Sequence, residues 1–121
     1  MTFEAQQLCN VLLEHHRGYR RSHGDRPIRR EHIGEYTIPY GRLCELAGLE
    51  YLTHPVGQFL QEIAQWCERN GRPPLNSLAV NKETGQPGDG YDTAPGCGGQ
   101  PWWELAEQCI RFEGYPERVA E

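Results

Sequence analysis

Residues 37–92 read TIPYGRLCELAGLEYLTHPVGQFLQEIAQWCERNGRPPLNSLAVNKETGQPGDGYD, and their reading decides the fold. Leu43, Leu46 and Ala47 line one face of a short helix for which Pro39 suits the first turn and Gly48 the left-handed stop. A second, longer helix starts with Pro55 near its first position. Its Val56, Phe59, Leu60, Ile63 and Cys67 keep a helical period for more than three turns, and Asn70-Gly71 stops it. Pro73-Pro74 then breaks direction, Leu75, Leu78 and Val80 give a short strand, and Asn81 to Gly85 a turn with Lys82 at its tip. Helix, turn, helix and hairpin in this order is the layout of a winged helix-turn-helix.

Outward from this centre, Thr2 caps an N-terminal helix from about Phe3 to His16, with Ala5, Leu8, Cys9 and Leu12 on its apolar face and Gly18 as its end. Tyr19 to Arg30 lacks apolar period and reads as a loop. Ile33, Tyr36 and Ile38 read as a short strand. Residues 85–101 form a long loop rich in Gly, Pro and Asp, a kind usually functional or disordered. Pro101 opens a last helix with Trp102, Leu105, Ala106 and Cys109 inward. The expected fold is therefore α+β, a small winged-helix-like domain with added N- and C-terminal helices. It is one domain over 1–121: an N-terminal helix and Arg-rich connector (1–31), the centre (32–92), then a loop and C-terminal helix (93–121).

The chain has 121 residues and a net charge of −5, which disfavours a general nucleic-acid binder. The charge is uneven. Between residues 14 and 32, six arginines face three acids, a local +3 that leaves −8 on the remainder. Arg17, Arg20, Arg21, Arg29 and Arg30, with Tyr19 among them, form a segment suited to phosphate, with Lys82 as a further backbone contact. The five cysteines are odd in number and widely spaced, so they read as reduced core thiols of a cytoplasmic protein. No secretory signal and no membrane span is read.

The stretches TIPYGRLCELAGL, HPVGQFL and PPLNSLAV carry a resemblance. Over residues 36–82, Tyr40, Gly41, Leu43, Val56, Gly57 and Pro74 match the outline of the DNA-binding domain of O6-alkylguanine alkyltransferases and alkyltransferase-like proteins. The resemblance implies a winged-helix fold and DNA binding. Leu75 stands where that family has its alkyl-accepting Cys, Asn76 and Ser77 where it has His and Arg, and His54 where it has an Arg finger. Alkyl transfer is excluded, because thiolate attack needs a thiol.

The solvent face of the long helix carries Gln58, Gln61, Glu62, Gln65, Glu68 and Arg69. Gln58 suits an adenine edge, whereas the glutamates oppose phosphate. Asp89, Tyr91, Asp92 and Trp103 form a candidate protein interface. No metal-ligand spacing appears, and the glycines of the long loop lack the Lys-Ser/Thr of a phosphate loop, so no cofactor and no metal is expected. The reading that leads is a non-enzymatic binding protein acting on nucleic acid or a nucleic-acid-handling complex. Its alternative is an acidic protein-interaction module, such as a small inhibitor of a host defence nuclease complex. A weaker one is a small nuclease or toxin using His16 or His32.

Overall fold

The structure is a computed structural model, and it describes residues 1–24, 26–52 and 56–120, with the side chain of Leu52 outside the description. The expected roles of His54 and of Pro55 therefore lie outside the described residues. Helices α1 (Phe3–His23), α2 (Ile33–Tyr36), α3 (Tyr40–Leu46), α4 (Val56–Arg69) and α5 (Trp102–Arg111) surround a ladder of two short strands, β1 (Ile38–Pro39) and β2 (Ala79–Val80). The α+β class is as expected from the sequence.

The N-terminal helix does not end at Gly18. It runs through Gly18 to His23, so half of the segment read as a loop is helical. The reason is tertiary. Leu8, Leu12, Leu13, His16 and Tyr19 make one continuous buried stripe. Tyr19 stacks on His23 and meets Tyr36 edge-on, at ring separations of 4.4 and 5.5 Å. Burying one large side chain contributes about 2 kcal/mol, more than the roughly 1 kcal/mol a mid-helix glycine costs. At the other end, Thr2 Oγ1 accepts from the Ala5 N–H at 3.2 Å, while its own hydroxyl and N–H donate to the Glu62 carboxylate, both at 2.9 Å. The cap thus ties α1 to α4.

Ile33 and Tyr36 belong to the short helix α2, and only Ile38 is in a strand. Pro39 sits at the cap of α3 rather than within its first turn. On α3 Leu43 and Cys44 are buried and Ala47 at its C-cap joins the core, as expected for Leu43 and Ala47, whereas Leu46 is exposed. Gly48 and Gly71 take φ of +74° and +66°, and the next residues close 2.8 and 2.9 Å bonds back to the Cys44 and Cys67 carbonyls. Both glycine stops were legible.

The expected strand from Leu75 to Val80 is half right. Leu75–Leu78 is a 3-10 turn, wholly buried between α1, α4 and α5, and only Ala79–Val80 extends. Two prolines followed by Leu, Asn, Ser and Leu fit a buried turn better than a pleat, since Asn and Ser favour local backbone bonds. β2 pairs with β1 in parallel, Ile38 opposite Ala79 and Pro39 opposite Val80. No antiparallel return strand follows among the described residues. Residues 81–86 instead close a tight turn, in which Asn81 Oδ1 accepts from the Glu83 N–H at 2.8 Å. The hairpin of the sequence reading is thus replaced by a parallel ladder and a turn.

The principal core joins Leu8, Leu12, Leu43, Ile63, Leu78 and Ile110. All five cysteines are buried free thiols. A satellite cluster of Ala64, Ala94, Cys97 and Leu105 seats the glycine-rich loop on α4 and α5, so this loop is packed. The C-terminal tail is also held. Asn10 exchanges two hydrogen bonds with the backbone of Val119, and Tyr115 donates to the Pro73 carbonyl at 2.5 Å. No described helix is long and apolar enough to cross a membrane.

Candidate ligand-binding cavity

A cavity of about 370 Å³ lies where the first turns of α3 and α4 meet the glycine-rich loop. Tyr40 enters from α3, and Gly57, Gln58 and Gln61 from α4. Asn76 comes from the buried 3-10 turn, and Asp89 and Tyr91 from the loop. The size is that of a small-molecule pocket.

Three hydrogen bonds hold the loop against the cavity. The Gly88 N–H donates to Tyr40 Oη at 2.6 Å, Gln61 Nε2 donates to the Gly90 carbonyl at 3.1 Å, and the Tyr91 and Ser77 hydroxyls hydrogen-bond each other at 2.5 Å. Ser77 is fixed in turn, because its carbonyl accepts from Trp102 Nε1 at 2.8 Å. Burial pushes the Tyr40 and Tyr91 phenols and the Cys97 thiol up, so all three stay neutral. Among the described residues, Asp89 is the one charged side chain on the lining.

Asn76 is the unusual member. It is 3% exposed, its Nδ2 donates to Cys97 Sγ at 3.5 Å, and its Oδ1 has no hydrogen-bond partner among the described residues. An acceptor left unpaired in a protein interior costs about 1–3 kcal/mol. Gly57 marks the opposite case, since a Cβ there would have open space, with nothing within 4 Å among the described residues beyond its chain neighbours and its own helix backbone.

The sequence placed Tyr40 and Gln58 in a nucleic-acid surface and Asp89 and Tyr91 in a protein interface. The structure brings all four to one cavity. Asp92 is exposed on the same loop, and Trp103 lies elsewhere, under the Arg30 guanidinium at 4.4 Å. The arginines are not gathered at the cavity. Arg17 donates to the Glu117 carbonyl, Arg20 to the Ile110 carbonyl at 2.7 Å and to Glu113 at 2.6 Å, and Arg29 lies 3.8 Å from Glu31. Arg21 is exposed beside Leu46, and Lys82 is exposed on the turn after β2. Arg42 pairs with Glu45.

Two of the histidines proposed for acid–base chemistry serve the fold or lie apart. His16 Nε2 donates to the Cys109 carbonyl at 3.0 Å, and burial lowers its pKa to about 4, with the Arg20 and Arg17 charges adding to the effect. His32 lies 3.8 Å from Glu31. Sequence reasoning missed Asn76 as a cavity residue, and it saw Gln61 only as part of a solvent face. The available signal was the polar pair Asn76-Ser77 inside an apolar run, which marks buried polar groups. No protein-family model, no curated protein and no solved structure matches this chain.

Proposed function

We propose that this is a non-enzymatic nucleic-acid-binding protein that holds an unpaired base in the cavity between α3, α4 and the glycine-rich loop. The carrying observation is convergence: Tyr40 and Gly57, two of the residues that bear the alkyltransferase-like resemblance, line the same cavity as Asn76 and Tyr91. A relationship to winged-helix domains is part of the proposal, with a parallel ladder in place of the wing. With Leu75 buried at the acceptor position, the pocket binds without chemistry.

Phosphate contacts are few in this reading, since the arginines near α1 are engaged with backbone carbonyls and acids. Salt dependence is accordingly shallow, because each phosphate contact contributes about one unit to the log–log slope. Fluorescence anisotropy tests this with a labelled duplex carrying one extrahelical base, a single strand and a fully paired duplex. The first two bind and the third binds weakly. Gly57→Leu, which places a side chain on the cavity lining from a position where a Cβ has open space, removes the difference. Absence of binding to all three at low salt would sink the proposal.

A second reading, a protein-interaction module, draws on a separate observation. Leu46 and Tyr51 are 50% and 72% exposed, and the chain outside residues 14–32 is strongly acidic. Loss of a protein partner on Leu46→Ser with unchanged base binding would favour it.

A further inference from the structure

The outward face of α1 carries a seam. Gln7, Val11, Glu14, Gly18 and Arg21 follow one another at intervals of four and three residues, the spacing by which one helix meets another. Two hollows of about 320 and 430 Å³ run along it, and both are lined by Val11, Glu14 and the exposed Leu46 at the end of α3. Gly18 lies between Glu14 and Arg21. A Cβ there has open space, so packing within the described chain gives no reason for a residue that weakens the helix. Glu14 and Arg21 stand two turns apart, about 10.5 Å along the axis. Both are exposed, and their side chains make no hydrogen bond or ion pair among the described residues.

This pattern is self-complementary. A two-fold axis beside Gly18 lays a second α1 antiparallel to the first and sets each Glu14 against the Arg21 of the other copy. It brings the helices closest where no side chain stands. The charge of the face agrees. The two hollows hold Glu14 and Glu117 against Arg17, Arg21 and Arg118, a balance of +1 on a chain of net −5. Two copies of an acidic chain therefore meet here without setting acid against acid. We infer that the outward face of α1 is a homodimer surface, and that its occupant is a second copy of this chain, docked antiparallel across Gly18 with two Glu14–Arg21 pairs. Such a contact is isologous, the commonest kind among homo-oligomers. The paired length from Gln7 to Arg21 is about 21 Å. It buries less than about 1,200 Å² in total, so the dimer is weak and reversible. The inference does not rest on the base-site reading, since none of these residues lines that cavity.

Sedimentation equilibrium on the full chain at low salt shows monomer–dimer exchange with a midpoint of about 10–100 µM. Glu14→Arg and Arg21→Glu each weaken it about tenfold or more, because like charges then face each other twice. Mixing the two variants restores pairing, since the mixed dimer again sets Glu against Arg at both contacts. Gly18→Gln removes the dimer while raising the melting temperature of the dilute protein, because glutamine is the better helix former and meets open space within the chain. A chain still monomeric at about tenfold above that midpoint overturns the inference and leaves the base-site reading untouched. A dimer that survives both charge variants, or one that survives Gly18→Gln, sits on another face and overturns it too. So does a loss in both charge variants that mixing does not restore.

Discussion

Two regions that the sequence offers as contact surfaces part company in the structure. The arginine segment of residues 17–30 reads as a phosphate surface, and the loop of residues 85–101 as a functional or disordered stretch with a candidate protein interface at Asp89, Tyr91 and Asp92. In the folded chain Arg17 and Arg20 reach backbone carbonyls, Arg26 pairs with Glu35 through two hydrogen bonds at 3.0 and 2.6 Å, and Arg30 covers Trp103. The loop instead seats Ala94 and Cys97 in a satellite core and lines the cavity with Asp89 and Tyr91. A guanidinium with several donors is easily drawn into satisfying carbonyls at helix ends, where the backbone lacks partners. Counting charges along the chain does not reveal this. A loop of glycines has no side chains to advertise its packing, yet glycine lets its backbone approach a helix closely.

The largest effect that sharpens the contrast belongs to the arginine side. His16 sits between α5 and the tail, with Tyr115 edge-on to its ring at 5.0 Å and the charges of Arg20 and Arg17 nearby. Its folded pKa of about 4 lies below the ordinary 6.5, so the unfolded chain binds the proton first. Stability is fully present above pH 6.5 and falls between pH 6.5 and about 4. The loss from this group approaches about 3 kcal/mol, and His15, also lowered by burial, acts in the same direction. Urea melts across this range check it. His16→Gln should flatten the curve.

Next comes Arg20. Its bond to the carbonyl of buried Ile110 should make Arg20→Ala destabilising by about 1–2 kcal/mol. Its pair with the exposed Glu113 contributes little, and Glu113→Ala should cost less than about 0.5 kcal/mol. If instead Arg20→Ala leaves the melt unchanged and weakens nucleic-acid binding, the segment is a contact surface after all and the comparison breaks.

The helices were legible where apolar period and glycine stops agree, as in α4 with its Gly71 end. Gly18 misled because a local signal yielded to a buried stripe that reaches Tyr19, five residues before the real end at Gly24. The ladder was illegible for a related reason. Strands of two residues have no period to read, and the pairing of Ile38 with Ala79 is a long-range choice made by the surrounding helices. Half of the candidate site was visible as residue types, in Tyr40, Gln58, Asp89 and Tyr91. Their meeting in one cavity depends on tethers between residues 48 positions apart in sequence, such as Gly88 to Tyr40, which spacing cannot carry.

That tether gives the prediction for the loop side. Tyr40→Phe keeps the ring but removes the oxygen that accepts from Gly88. The loss is an exposed-rim bond, so global stability should fall by about 1 kcal/mol or less. The local effect is larger in kind. With this side-chain tether gone, the loop should open more often, and hydrogen exchange at Gly88 should rise about fivefold or more, while amides of α1 exchange as before. The charge-removing counterpart on the other region, Arg29→Ala, should change stability by less than about 0.5 kcal/mol, since its partner Glu31 is exposed and 3.8 Å away. An exchange rate at Gly88 that ignores Tyr40→Phe would mean that Gln61, Asn76 and the Tyr91–Ser77 pair hold the loop without α3. The cavity would then be set by α4 and the buried turn rather than by α3.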